Sequence, residues 1–380
     1  MKPFATEYAV ILEQIDRIDP VRYGKTRNFA QGAVTMLSPY ISRGVISTKQ
    51  VAQIILAKGY KPTDIESFLK ELAWRDYFQR VWMHHQTGID ADLKQTQPNC
   101  LNHQISAAIV EANTSIEAID QGIKTLYDTG YMHNHMRMYV ASLACNVAKS
   151  HWRLPAQWLY YHLLDADWAS NALSWQWVAG SFSSKKYFAN QENINKYFNS
   201  HQRQTFLDLP YEAFNAMPIP GQLDQLIAPV FHTTLPTSNP VELDLSLPTY
   251  VYNFYNLDVL WDAEQKANRV LLLEPSFFNQ YPVGNRTIQF VLDLAKNIAG
   301  IQIQVAEFET VLGKIDTKQI HYKEHPSNAH YRGIQHERDW MFSEVTGYFP
   351  SFFAYWKKCE KQIVKLIDNS NAAQQLSLFN

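Results

Sequence analysis

The stretch from Tyr131 to Trp177 constrains this chain more than any other, because it keeps a helical period while placing polar groups where a plain core helix carries aliphatic ones. It reads Tyr131-Met-His-Asn-His-Met-Arg-Met138, a helical run to Lys149, Trp152, and then Leu-Leu-Asp165-Ala-Asp167-Trp-Ala-Ser-Asn171-Ala-Leu-Ser-Trp175-Gln-Trp177. With Tyr131 to Ser150 as one helix, Asn134, Arg137, Met138 and Ala141 fall at i, i+3, i+4 and i+7 and share a face. An amide, a guanidinium and a thioether buried together need a polar partner, either carboxylates or a heteroaromatic ligand. Asp165 and Asp167 follow between two apolar helical runs, where an Arg137 to Asp165 pair and an acceptor for a ligand N–H both become available. Trp168, Asn171 and Trp175 then recur at i, i+3 and i+7 on the next helix. For each residue alone the plainer reading is a buried Arg–Asp pair with aromatic filling.

A length of 380 residues predicts two or three domains and allows a sizeable core. Aromatic residues make up 13% of the chain, high for a plain structural protein. Cys100, Cys145 and Cys359 have no metal spacing and cannot all pair, which points to a reducing compartment. Met1 to Ile18 is an amphipathic mix containing Glu7, Glu13 and Asp16 rather than a targeting signal, and no stretch approaches the length of a membrane span. The expected location is cytoplasmic. The formal net charge of −2 hides an asymmetry: residues 1–205 hold 21 Lys and Arg against 17 Asp and Glu, and residues 206–380 hold 13 against 19. A modestly basic first half is compatible with phosphate contacts and is equally an ordinary solvated surface.

Taken in order, Ala5 to Ile18 has helical periodicity, Asp19-Pro20 breaks it, and a loop carries Tyr23. Thr35-Met-Leu37-Ser38-Pro39 precedes a second turn, and Ser47 caps a helix from about Thr48 to Lys58. Hydroxyls and free N–H groups before a helix suit an anion, although a Ser-Pro turn is by itself only a turn. Ser67 to Trp82 is an unbroken helical pattern in which Glu71, Trp74, Arg75 and Phe78 lie at i, i+3, i+4 and i+7. Lys185 to Gln204 is polar, and Leu207 to Pro248 contains seven of the 17 prolines, as an extended connector does. Beyond it, Tyr250–Asn256, Val270–Glu274, Ile301–Glu307 and Gln319–Lys323 read as strands, with helices at about Thr287–Ala299 and Phe352–Ile367. That alternation predicts a small α/β domain with a parallel sheet. It carries neither a Gly-x-Gly-x-x-Gly nor a P-loop. His84, His85, His321, His325, His330 and His336 are irregularly spaced and read as core or solvated histidines, so no metal is assigned.

The run M-H-N-x-x-R-M, followed by L-x-D-x-D-x-A-x-N and W-Q-W, resembles the flavin-binding domain of the DNA photolyase and cryptochrome family. The Thr35 to Tyr40 segment is similar to the family's T-S-x-L-S-P-x-L loop, which holds the flavin pyrophosphate, with Val34 where a hydroxyl is usual and Met36 where a base is frequent. Glu71-Leu-Ala-Trp74-Arg75 resembles its E-L-x-W-R helix, and Thr114, Asp120, Leu126, Thr129 and Gly130 match a further segment that lacks the family's Pro and Trp. The resemblance implies FAD held by Tyr23, Thr35, Leu37, Ser38, Arg75, Asn134, Arg137, Asp165, Asp167 and Asn171. Asn171 would sit near flavin N5, with Arg137 balancing Asp165. It implies electron supply through Trp175 and Trp152, with the outer position near Asn99 carrying no indole and Trp158, Tyr160 or Tyr161 as other exits. Glu71, Trp74, Met138 and Trp177 would meet a flipped pyrimidine dimer.

The expected architecture is mostly α: a helical FAD-binding domain over 1–205, a Pro-rich connector over 206–248, and a small α/β domain over 249–380. The family's amino-terminal antenna domain is missing from its usual place. The carboxyl-terminal domain is expected to be structural, with a protein partner or oligomer contact through it left open. The implied activity is light-driven repair of cyclobutane pyrimidine dimers in DNA, a lyase reaction driven by photoexcited reduced flavin. The alternatives are a cryptochrome-like photoreceptor that does not repair DNA and a light-independent flavoprotein.

Overall fold

The computed structural model describes residues 4–366. Its contacts divide the chain into two compact units, one made of residues 26–34 and 85–231 and the other of residues 4–25, 35–84 and 232–366.

The first unit is helical. Glu117–Thr129 ends on Gly130 at φ +72°, where a left-handed residue closes the helix and Gly avoids the Cβ clash. Asp120 secures its start by accepting from both the N–H and the hydroxyl of Thr114 at 2.8 and 2.7 Å. Asn134–Ser142 follows and runs into a π-helical turn, Leu143–Val147. The single helix expected from Tyr131 to Ser150 is therefore shorter and interrupted. The extra residue per turn lets the buried Asn146 amide reach out of the helix and donate to the Val178 and Tyr187 carbonyls at 3.0 and 2.7 Å. Arg153–His162 and Trp168–Ala179 complete the centre, the latter capped by Asp167 and closed by Gly180 at φ +84°. A two-stranded antiparallel ladder, β1 Ile105–Ser106 and β2 Leu226–Ile227, ties the later connector back to this unit.

The second unit contains the predicted α/β region. Its strands are β3 Thr249–Tyr252, β4 Asn268–Leu273, β5 Ile301–Val305, β6 Ile320–Lys323 and β7 Ile334–His336. They form one parallel sheet in the order β5-β4-β3-β6-β7. Every residue of β3 and β4 is buried, as the apolar run Val270–Leu273 requires of central parallel strands. Val251, Leu272, Phe308 and Tyr322 are among the residues of one core cluster. The sequence pattern missed β7, which is only three residues long and partly exposed. Gly333, just before it, has φ +148°, and a Cβ there would lie 2.5 Å from the Ile320 carbonyl oxygen. Gly333→Ala is expected to destabilise this edge by more than about 1 kcal/mol in denaturant titrations. An unchanged midpoint would show that β7 is dispensable.

The helices Tyr8–Asp16, Thr48–Ala57 and Glu66–His85 belong to this second unit, so the contact division differs from the expected 1–205 boundary. The reason lies in paired polar groups. Asp76 accepts from the Met341 N–H at 3.0 Å, Arg338 donates to Gln79 at 2.7 Å, and the Leu257 N–H donates to the Arg43 carbonyl at 2.8 Å. Pro20 also starts a helix, Pro20–Thr26, where a loop was expected; at the first helical position its fixed φ helps and its missing N–H costs nothing. The carboxyl-terminal helix spans Phe352–Cys359, and the predicted end at Ile367 lies outside the described residues. Among the described residues no helix is long and apolar enough to cross a membrane.

Candidate functional site

In the first unit the structure pairs two of the residues that the spacing singled out, Arg137 and Asp165. Arg137 Nη2 lies 2.8 Å from Asp165 Oδ2, and its Nε donates to the Met132 carbonyl at 2.9 Å. One guanidinium thus fixes both the Asp165 turn and the chain entering its own helix. Asp167 caps the next helix by accepting from the Ser170 N–H at 3.0 Å. Between the two carboxylates Ala166 holds φ +23°, a conformation that L residues rarely adopt. Asn171, one helical turn on, donates from Nδ2 to the Ala156 carbonyl at 2.8 Å, which fixes the direction of its amide. Asp165, Asp167 and Asn171 are all buried, while Arg137 and Met138 are half-buried and Asn134 is exposed. A buried carboxylate paired with a partly open guanidinium is the kind of polar group that a flat heteroaromatic ligand with N–H and C=O edges can pair with.

The aromatic residues divide by exposure. Trp152, Trp158, Trp168 and Trp175 are buried, whereas Trp177 is 41% exposed and tilts over Tyr187 at 5.9 Å. Trp158 donates to the Tyr127 hydroxyl at 3.0 Å, and Tyr161 packs against Phe231 at 4.9 Å. Sequence reasoning missed the acceptors of two buried indoles: Trp168 Nε1 donates to Asp90 Oδ1 at 2.8 Å and Trp152 Nε1 to Asp92 Oδ1 at 2.7 Å. The signal was present, since each indole N–H taken out of water needs a partner, but the partners lie 78 and 60 residues away.

In the second unit Tyr23 stands edge-on to Phe68 at 5.3 Å. The Thr35 carbonyl accepts from Gln14 at 2.7 Å, and its hydroxyl accepts from the Leu37 N–H at 3.4 Å. Leu37 is 1% exposed and its carbonyl accepts from the Tyr40 and Ile41 N–H groups, while Ser38 is exposed. Arg75 lies 3.9 Å from Asp76 and borders a cavity of about 300 Å³ together with Thr48, Asn256, His325 and Arg338. That cavity opens at the carboxyl ends of β3 and β6, where the strand order reverses. Glu71 and Trp74 are half-buried. Phe352 stacks on one face of the Trp74 indole at 3.8 Å and 9°. Phe352 belongs to a helix whose Tyr355, Trp356 and Cys359 are buried, and sequence patterning gave no means of finding that cover. The remaining histidines are placed individually: His321 Nδ1 lies 2.9 Å from His336 Nε2, His325 stacks on Tyr255, and His330 bonds Glu274 at 2.9 Å.

Burial lowers the His133 pKa to about 4, with His135 and Arg137 adding to the effect, and burial also lowers those of His135 and His151. The folded state therefore keeps these imidazoles neutral. Below the ordinary imidazole value of about 6.5 the unfolded chain takes up protons that the folded chain refuses, so stability falls with pH. The midpoint of denaturant unfolding is expected to be level from pH 8 to about 6.5 and to drop steadily toward pH 4. A shallower slope in His133→Gln identifies its share, and an identical slope excludes it.

The first unit is thus a helical domain with a half-buried Arg–Asp pair, two further buried polar side chains and buried indoles. Residues 68–209 match the FAD binding domain of DNA photolyase. The chain is 30% identical over 173 residues to a deoxyribodipyrimidine photo-lyase of Alkalihalophilus pseudofirmus, covering 41% of this chain and 34% of that protein. It is 31% identical over 184 residues to the one of Agrobacterium fabrum, covering 44% and 37%. Over 186 residues it is 26% identical to cryptochrome-1 of Arabidopsis thaliana, covering 46% and 27%. The chain thus spans about a third of the length of the curated relatives it matches. The matched stretch is similar to the FAD-binding domain of photolyases and cryptochromes, and FAD is the cofactor that a domain of this kind holds. The donor set fits that group, offering an ion-paired guanidinium, buried carboxylate acceptors and an oriented amide.

Proposed function

We propose that the protein is a light-driven DNA repair enzyme that splits cyclobutane pyrimidine dimers, acting on damaged DNA. The observation that carries this reading is the Arg137–Asp165 pair with Asp167 and the oriented Asn171 amide, in a chain that also retains Glu71, Trp74, Met138 and Trp177. When bound, reduced FAD supplies a photoexcited electron to the dimer and recovers it after the ring opens. Asn171 would present its amide to flavin N5, and Arg137 balances the Asp165 charge. Asp167 and Asn134 bind the ring edge or ribityl chain. Tyr23, Thr35, Leu37, Ser38 and Arg75 are proposed as the second unit's FAD ligands on the family resemblance. Glu71 accepts from the imide groups of the lesion, and Trp74, Met138 and Trp177 contact its bases.

The alternative is a cryptochrome-like photoreceptor, and the stacking of Phe352 on Trp74 is the observation that favours it. Illuminating the reduced protein with dimer-containing oligonucleotide and assaying restored thymines tests the choice. Restored thymines support repair; none, together with light-dependent partner binding, supports the photoreceptor. Electron supply through Trp175 and Trp152 is part of the same proposal. Trp175→Phe is expected to slow photoreduction of oxidised flavin by at least about tenfold while FAD stays bound. Unchanged photoreduction would mean that electrons arrive by another route.

A further inference from the structure

Trp152 is fully buried, yet its indole proton points outward along a defined path. Nε1 donates to Asp92 Oδ1 at 2.7 Å, and the Gln97 N–H donates to Oδ2 of the same carboxylate at 2.8 Å. Gln97 Oε1 in turn accepts from the Trp152 backbone N–H at 2.9 Å, and its Nε2 donates to the Ser150 carbonyl at 2.8 Å. A single buried glutamine therefore holds indole and carboxylate in register. His151 Nε2 lies 3.4 Å from Asp92 Oδ1, and its ring stacks on His103 at 4.8 Å. The Asp92 and His151 side chains are 17% and 16% exposed, so this path leads from the core to solvent.

The neighbouring pair supplies a contrast. Trp168 also donates to a carboxylate, but Arg153 Nη2 sits 3.7 Å from Asp90 Oδ2. Asp90 thus has a guanidinium beside it, whereas Asp92 is faced by an imidazole that burial keeps neutral at neutral pH.

We propose that Asp92 accepts the Nε1 proton of Trp152 when that indole is oxidised, which makes Trp152 a complete terminus for electron supply. The inference rests on the proposed route through Trp175 and Trp152. In that route Trp175 would give up an electron to bound, light-excited oxidised FAD and would be refilled from Trp152. Loss of one electron turns the indole N–H from a very weak acid into one able to protonate a carboxylate. The proton then crosses the existing 2.7 Å hydrogen bond to Asp92 Oδ1, leaving a neutral tryptophanyl radical and an aspartic acid. His151 relays the proton to water. A buried cation beside a carboxylate is replaced by two neutral groups, which lowers the cost of holding the separated charge in the interior and slows the electron's return. Proton export at Trp152 thereby substitutes for the third indole that the region near Asn99 does not contain.

The test is flash transient absorption on the FAD-loaded protein, its Asp92→Asn and Asp92→Glu variants, and Trp152→Phe, with FAD content checked in each. Asp92→Asn keeps an acceptor oxygen for the indole N–H but takes no proton. In the wild type the radical-cation spectrum is expected to convert to that of the neutral radical, more slowly in D2O than in H2O. In Asp92→Asn the cation form should persist and recombine roughly tenfold faster or more, and Asp92→Glu should restore the neutral radical. A neutral radical of wild-type lifetime in Asp92→Asn, with the signal lost in Trp152→Phe, overturns the role of Asp92 and leaves the route standing. An unchanged radical yield in Trp152→Phe overturns both. Should the Asn variant fail to fold, the wild-type measurement decides alone: no cation-to-neutral conversion, or none sensitive to D2O, overturns the proposal.

Discussion

Arg137→Ala is expected to release FAD and to destabilise the first unit by roughly 1.5 to 3 kcal/mol, the range for losing a hydrogen bond to a charged group. The guanidinium makes two contacts at once, to Asp165 Oδ2 at 2.8 Å and to the Met132 carbonyl at 2.9 Å. Its removal leaves a buried carboxylate without that counter-charge, which must protonate or draw in water, and either outcome disturbs the Asp165–Asp167 turn. Arg137→Lys keeps the charge but loses the planar fork, so an intermediate loss is expected. The ratio of flavin to protein absorbance and a denaturant titration measure the two effects separately. Full FAD content in Arg137→Ala would remove the ion pair from the cofactor site and leave it a purely structural link.

Phe352→Ala should have the second large effect, and it acts in two directions. Phe352 is 2% exposed and lies flat on Trp74, so truncation is expected to cost about 3 to 5 kcal/mol of stability, as Phe→Ala in a core does. The same change uncovers an indole face, and stacking a base on an aromatic side chain contributes about 1 to 3 kcal/mol. Preference for dimer-containing over undamaged DNA is therefore expected to rise by a factor on the order of 5 to 150, and to fall again in Trp74→Ala. Undamaged DNA, held mainly through phosphates, serves as the reference. If the stability loss appears and the DNA preference stays fixed in both variants, Trp74 reads no lesion, and the photoreceptor reading moves ahead of repair.

Local chemistry along the chain was enough to anticipate the Arg137–Asp165 pair of the first unit. Arg137 and Asp165 carry opposite charges in a stretch whose pattern takes both largely out of water, so each calls for a counter-charge and the pair follows from their types. The parallel sheet was legible for the same reason, since Val270–Leu273 is apolar on both faces and its neighbours alternate with helices. Tertiary structure decided what covers each surface. Helical periodicity announces that Glu66–His85 has a buried side, but only the folded chain assigns Met341, Arg338 and Phe352 to it, more than 250 residues away. The same holds for Asp92, which becomes the partner of Trp152 only when a loop sixty residues upstream is laid against it. A sequence pattern fixes which groups must leave water, and packing alone chooses which distant groups meet them there.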